Sequence, residues 1–168
     1  MSDSERDSAD RRVRRTEQAI FSAFRDLVLS RPYDDIRVAD IVEGAGIGRS
    51  TFYEHYRNKD EVLTHSITWL FEALADAAVG APDHQRLTFV VEHFDAQRHL
   101  ARALFRDRPL RLLTDRLSQL IEARSREPLE ARALAAAQLE VLCTWLCARL
   151  AVTREQALEA LTLPLRHR

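Results

Sequence analysis

Apolar side chains recur at three- and four-residue intervals along most of the chain, and the runs are cut by Gly, Pro and Asn. Ile20, Phe24, Leu27 and Val28 define one stripe of a first helix, with Asp10 or Thr16 as its cap and Pro32 as its end. Residues 1–10 carry four acids, three Ser and no large apolar residue after Met1, so they read as a disordered tail with structure starting near Asp10. Val38, Ile41 and Val42 predict a two-turn helix over 38–45 that stops at Gly44 and Gly46. A third short helix follows over 49–56. Asn58-Lys59-Asp60-Glu61 then places an Asn cap three residues ahead of a Glu, which starts a long fourth helix. Val62, Ile67, Leu70 and Leu74 carry that helix to about Val79, and Gly80-Ala81-Pro82-Asp83 ends it.

Four more helices are expected over 84–106, 109–125, 128–150 and 154–164, the first broken near Gln97 to His99. Asp107 before Pro109, Pro128, and the capping pair Thr153 and Gln156 mark the later starts. The stretch 128–150 has nearly two apolar stripes: Leu139, Leu142, Cys143, Leu146 and Leu150 on one side, Val141, Trp145 and Ala148 on another. A surface helix needs only one, so the second is expected to face a partner subunit.

Composition supports an all-α chain. Its 168 residues hold 23 Ala, 23 Leu and 24 Arg against 10 Val and 6 Ile, with four Gly and five Pro. A chain of this size buries roughly 70% of its unfolded surface. No apolar run approaches the roughly 18 residues that span a bilayer, and the polar start lacks the apolar segment of a secretory signal, so a cytoplasmic protein with no membrane contact is expected. Cys143 and Cys147, four apart on one helix, read as small core residues. The formal charge of −1 excludes a protein that coats nucleic acid by bulk charge, so any nucleic-acid surface must be local.

The charges are distributed to allow one. Residues 1–60 hold 11 Lys and Arg against 12 Asp and Glu. The cations gather at Arg11, Arg12, Arg14 and Arg15, and again at Arg49, His55, Arg57 and Lys59, with Asp26, Asp34, Asp35, Asp40 and Glu43 between. Two short helices joined by a Gly-containing turn inside a three-helix unit are the parts of a DNA-reading helix-turn-helix.

The run from Asp40 to Glu61, DIVEGAGIGRSTFYEHYRNKDE, resembles the DNA-binding segment of the TetR family of transcriptional regulators. The family pattern is an Ile-Ala-x-x-Ala-Gly-Val turn, then Thr-Leu-Tyr-x-His-Phe, a basic residue, and Asn-Lys-Glu-Glu-Leu. The resemblance implies an N-terminal three-helix helix-turn-helix domain over 11–58 and a helical ligand-binding and dimerisation domain over 59–168. Arg49, Ser50 and Thr51 would open the recognition helix, where Arg49 is placed to reach guanine. Tyr53, His55 and Lys59 would contact phosphates and hold register. Phe52 and Tyr56 would dock the recognition helix on the first helix. Three residues depart from the pattern. Arg37 stands where Thr often starts the second helix and would meet a phosphate; Gly48 replaces a Ser or Thr cap; Glu54 replaces an aromatic.

For the second half, the resemblance implies a twofold dimer built on the last two long helices, aided by Leu158, Leu161, Leu163 and Leu165, and a small-molecule effector site. Trp69, Phe89, His93, Phe94, Phe105 and Trp145 are the candidates to line that site, and the fourth helix is the expected lever between effector and DNA. His84, His93 and His99, spaced nine and six apart, do not form a metal-binding pair on one helical face. No phosphate loop, nucleophile elbow or His-Glu-x-x-His is present, so neither cofactor, metal nor enzyme activity is expected. The whole reads as a dimeric, ligand-responsive repressor on a pseudo-palindromic operator.

Overall fold

The computed structural model describes residues 3–125 and 127–162. Among the described residues there are nine α-helices, one 3-10 turn and no strand. In order they are α1 (Asp3–Ser30), the turn Tyr33–Asp35, α2 (Val38–Ala45), α3 (Arg49–His55), α4 (Lys59–Ala78), α5 (His84–Ala96), α6 (Arg98–Leu104), α7 (Asp107–Ser125), α8 (Pro128–Leu146) and α9 (Arg154–Thr162). Among them no helix is long and apolar enough to cross a membrane. Two compact units divide between Ser66 and Ile67. The division falls inside α4, eight residues beyond the expected limit at 58; the first turns of α4 bond to residues 33–36 and, through His65, to Tyr56.

In the first unit Ile20, Ala23, Phe24 and Val28 form the buried stripe of α1, and the Phe24 ring meets Tyr33 edge-on at 6.2 Å. The α2 backbone comes so near α1 that a Cβ on Gly44 would lie 3.1 Å from the Ala23 Cβ. Ile41, Phe52, Tyr56, Val62 and Leu63 complete this core. In the second unit Leu70, Phe71 and Leu74 of α4 are buried, as are Leu87 and Val91 of α5, Leu113, Leu117 and Ile121 of α7, and Leu139, Leu142 and Leu146 of α8. Asp83 caps α5, its carboxylate accepting from the N–H groups of Gln85 and Arg86 at 3.0 and 3.1 Å. Thr153 and Gln156 cap α9 reciprocally, at 2.9 and 3.2 Å. The cysteines are free. Cys143 is buried with its thiol against the Phe105 carbonyl, and burial pushes its pKa up to about 11.

Three elements differ from expectation. First, α1 already runs from Asp3, so residues 3–10, read as disordered tail, are helical. Second, α8 ends at Leu146 instead of 150. Arg98 of α6 donates to the carbonyls of Trp145 and Leu146 at 3.2 and 3.1 Å, and Arg102 donates to Leu146 at 2.6 Å. The chain then turns through Ala148 at φ 52°, with the Arg149 N–H reaching back to the Thr144 carbonyl at 3.1 Å. Alanine in this left-handed conformation costs about 1 kcal/mol. Ala148→Gly is therefore expected to stabilise the chain by about 1 kcal/mol in urea unfolding, since the exposed methyl has little packing to lose. Third, the second stripe of α8 is used within its own unit. Trp145 is buried with the Arg98 guanidinium 4.9 Å above its ring, and Val141 is half-buried. Leu150 and Ala148 lie outside the helix and are exposed. Leu163 and Leu165 lie outside the described residues.

Candidate nucleic-acid interface

The turn between α2 and α3 is set by Gly46, whose φ of 64° and ψ of 34° a side chain would strain. Its N–H donates to the Glu43 carbonyl at 3.1 Å and that of Ile47 to Val42 at 3.2 Å, the Schellman closure of α2. At the other end of α2, Arg37 sits at the cap position with extended backbone. The Asp40 carboxylate accepts the Arg37 N–H at 2.9 Å, so the cap is supplied from inside the helix, and the Arg37 guanidinium lies on an exposed residue.

Gly48 caps α3 with extended backbone and no side-chain bond, and a Cβ there would lie 3.7 and 3.8 Å from the Ser50 and Thr51 hydroxyls. Arg49, Ser50, Tyr53 and Glu54 form one exposed arc of α3. Thr51 and His55 are half-buried at the edge of that arc, and Phe52 faces fully inward. Tyr53 is 55% exposed, and its ring is braced edge-on by Phe52 at 5.5 Å.

Two of the expected phosphate contacts are drawn into the protein. The His55 Nδ1 lies 4.0 Å from the Glu17 carboxylate of α1. The Lys59 ammonium donates to the carbonyls of Tyr33, Asp34 and Ile36 at 2.6, 3.1 and 2.9 Å, which accounts for all three of its hydrogens. It also stands 4.6 Å over the Tyr33 ring, while the Tyr33 hydroxyl donates to Asp60 at 2.6 Å. Lys59 thus clamps the start of α4 onto the link between α1 and α2. Asn58 caps α4 by accepting the Glu61 N–H at 2.9 Å, and Glu61 accepts from the Arg57 N–H at 2.7 Å. Sequence reasoning missed Asp40, although its spacing of three from Arg37 is a capping signal. It also missed His65, whose Nδ1 is 2.7 Å from the Tyr56 hydroxyl.

The six effector candidates separate into three places within the second unit. Trp69 and Phe89, each about half exposed, have their rings 5.5 Å apart and tilted by 50°, and His93 meets Trp69 edge-on at 5.3 Å. Trp69 and Phe89 line an open groove of about 600 Å³ with Ala73, Gln85, Arg86 and Glu92. Phe94 and Phe105 pack together at 5.5 Å in the core and border, with His93, a void of only about 40 Å³. Burial lowers the pKa of His93. Trp145 is held under Arg98.

Comparison with known proteins agrees with this geometry. The model of the bacterial regulatory proteins of the tetR family matches residues 20–65. The HTH-type dhaKLM operon transcriptional activator DhaS of Lactococcus lactis is 42% identical over 57 residues, 34% of this chain and 28% of DhaS. The HTH-type transcriptional regulator EthR of Mycobacterium tuberculosis is 45% identical over 47 residues, 28% of this chain and 22% of EthR. The matched stretch is thus under a third of the length of either relative. Over the whole chain, a TetR transcriptional regulator from Streptococcus agalactiae has a similar solved structure, with a TM-score of 0.60 and 28% identity covering 95% of this chain and 98% of that one. A TetR-family regulator from Syntrophomonas wolfei shares the fold at a TM-score of 0.51 and 21% identity, over 88% and 91% of the two chains. An N-terminal helix-turn-helix followed in sequence by a helical unit defines the class, a helix-turn-helix protein of all-α architecture. Residues 20–65 carry the match to the tetR family, and over most of its length the chain is similar to the TetR regulator from Streptococcus agalactiae.

Proposed function

We propose that the chain is a sequence-specific DNA-binding transcriptional regulator that grips a pseudo-palindromic operator as a homodimer. The observation that carries this reading is the exposed arc of Arg49, Ser50 and Tyr53 on α3, backed by the buried Phe52. An exposed arginine at the first residue of a helix can enter the major groove and bond a guanine edge bidentately. Tyr53 and Arg37 supply phosphate contacts, and the exposed Arg11, Arg12, Arg14 and Arg15 of α1 extend the positive surface. His55 and Lys59 take supporting roles. For the dimer, the exposed Ala133, Ala136 and Ala137 of α8 offer a face on which a second helix can approach closely. Twofold symmetry then matches two half-sites.

Repression is the direction proposed, because a dimer seated on DNA blocks by occupancy alone. DhaS is named as an activator, and a reporter driven from the selected operator decides between the two. Selection of random duplexes with wild type and Arg49→Ala tests the reader. The variant is expected to lose discrimination at one position of each half-site, worth roughly 1–3 kcal/mol, while overall phosphate-driven affinity persists. Unchanged preferences at every position would remove Arg49 from the readout.

A small-molecule effector is proposed for the Trp69–Phe89 groove, an aromatic-walled hollow of ligand size with Arg86 and Glu92 at its rim. Trp69 fluorescence reports occupancy. A compound that shifts operator affinity yet leaves that emission untouched binds elsewhere.

A further inference from the structure

We propose that His65, beyond the helix-turn-helix on α4, is a positioning residue for the recognition helix, fixing the end of α3 through the Tyr56 hydroxyl. The inference rests on the reading of α3 as the DNA reader. Tyr56 caps α3 with its N–H on the Phe52 carbonyl at 2.8 Å, and its backbone turns extended at once. Its buried ring lies 6.1 Å from Phe52, 6.0 Å from Phe21 of α1 and 5.5 Å from His65. Phe21 in turn meets the His65 ring edge-on at 5.8 Å. One hydrogen bond of 2.7 Å therefore joins α3 to α4 at a point that α1 also braces.

We take the Tyr56 hydroxyl as the donor of that bond. Burial foremost, then the nearby Glu17 and Glu61 carboxylates, raise the Tyr56 pKa well above its ordinary value, so the phenol keeps a proton to donate. In that arrangement His65 Nδ1 is the acceptor and the ring hydrogen sits on Nε2. The TetR pattern has Phe where this chain has Tyr56, and a phenylalanine ring would fill the same core. The hydroxyl adds only this bond, and the bond belongs to this chain's own pairing of Tyr56 with His65. A helix of seven residues held by a glycine turn at one end gains its aim from whatever fixes the other.

The test is a double-mutant cycle on the operator recovered by selection, read as affinity per folded molecule, with stability followed separately in urea. Tyr56→Phe and His65→Leu are each expected to bind roughly fivefold more weakly, a loss of about 1 kcal/mol. The double variant is expected to be no weaker than either single. His65→Asn, whose amide oxygen replaces Nδ1 as acceptor, is expected to recover most of the affinity. Nitrogen-15 spectra of the histidine rings should show His65 as the Nε2–H tautomer in wild type and as a mixture in Tyr56→Phe. Singles that bind like wild type, losses that multiply in the double, or His65→Asn no better than His65→Leu would each overturn the proposal. So would a loss confined to stability. A wild type without sequence preference would instead remove the reader itself, whatever the tautomer spectra show.

Discussion

Phe52→Ala is expected to cost about 3–5 kcal/mol and to disorder the recognition helix. The Phe52 side chain is fully buried, braces Tyr53 and lies against Tyr56, so its loss empties the floor on which α3 stands. A unit of this size has a total stability of only about 5–10 kcal/mol, so the change removes a large share of it. Urea unfolding should show the loss, and operator binding should disappear with it. Far-ultraviolet ellipticity should fall only in part, because the core from Leu70 to Leu161 belongs to the other compact unit. Stability within 1 kcal/mol of wild type would mean that α3 is not seated on this side chain.

Lys59→Met is expected to cost about 2–3 kcal/mol of stability, which distinguishes a clamp from a phosphate contact. Methionine keeps the apolar stem over Tyr33 but removes the ammonium's bonds to the Tyr33, Asp34 and Ile36 carbonyls, two of them partly buried. Losing three bonds at a partly buried link is costly, and the charged donor makes each bond stronger than a neutral one. If Lys59 instead served mainly to neutralise a phosphate, stability would stay near wild type and the salt slope of operator binding would flatten by about one. Urea unfolding and a salt titration of the folded variant measure both quantities on one sample.

What the sequence made legible follows its local punctuation. The bounds of α2 agree with expectation because Gly46 ends it in the left-handed region, and Asn58 marks the start of α4 by its own cap bond. The break at Gln97 between α5 and α6 was legible too. The end of α8 was not, since it closes through Ala148 without a glycine and is capped by arginines 44 to 48 residues away. The candidate site divides in the same way. The outward face of α3 was legible through the family resemblance, which put Phe52 inward and Arg49 and Tyr53 outward, in agreement with their burial and exposure. The roles of Lys59 and His65 could not, because their partners lie 23 to 26 and nine residues away across turns. The aromatics from Trp69 to Trp145 share a type and not a place, since helical spacing alone cannot tell a groove wall from a core ring.

The most direct measurement is selection of random duplex DNA by the purified wild-type chain at near-physiological salt, with the retained duplexes sequenced. Enrichment of an inverted repeat, its half-sites about one helical turn apart or a multiple of it, is the expected result and would supply the operator for every variant above. Binding that enriches no sequence and vanishes as salt rises would contradict the account, because phosphate attraction would then be the whole of the interaction.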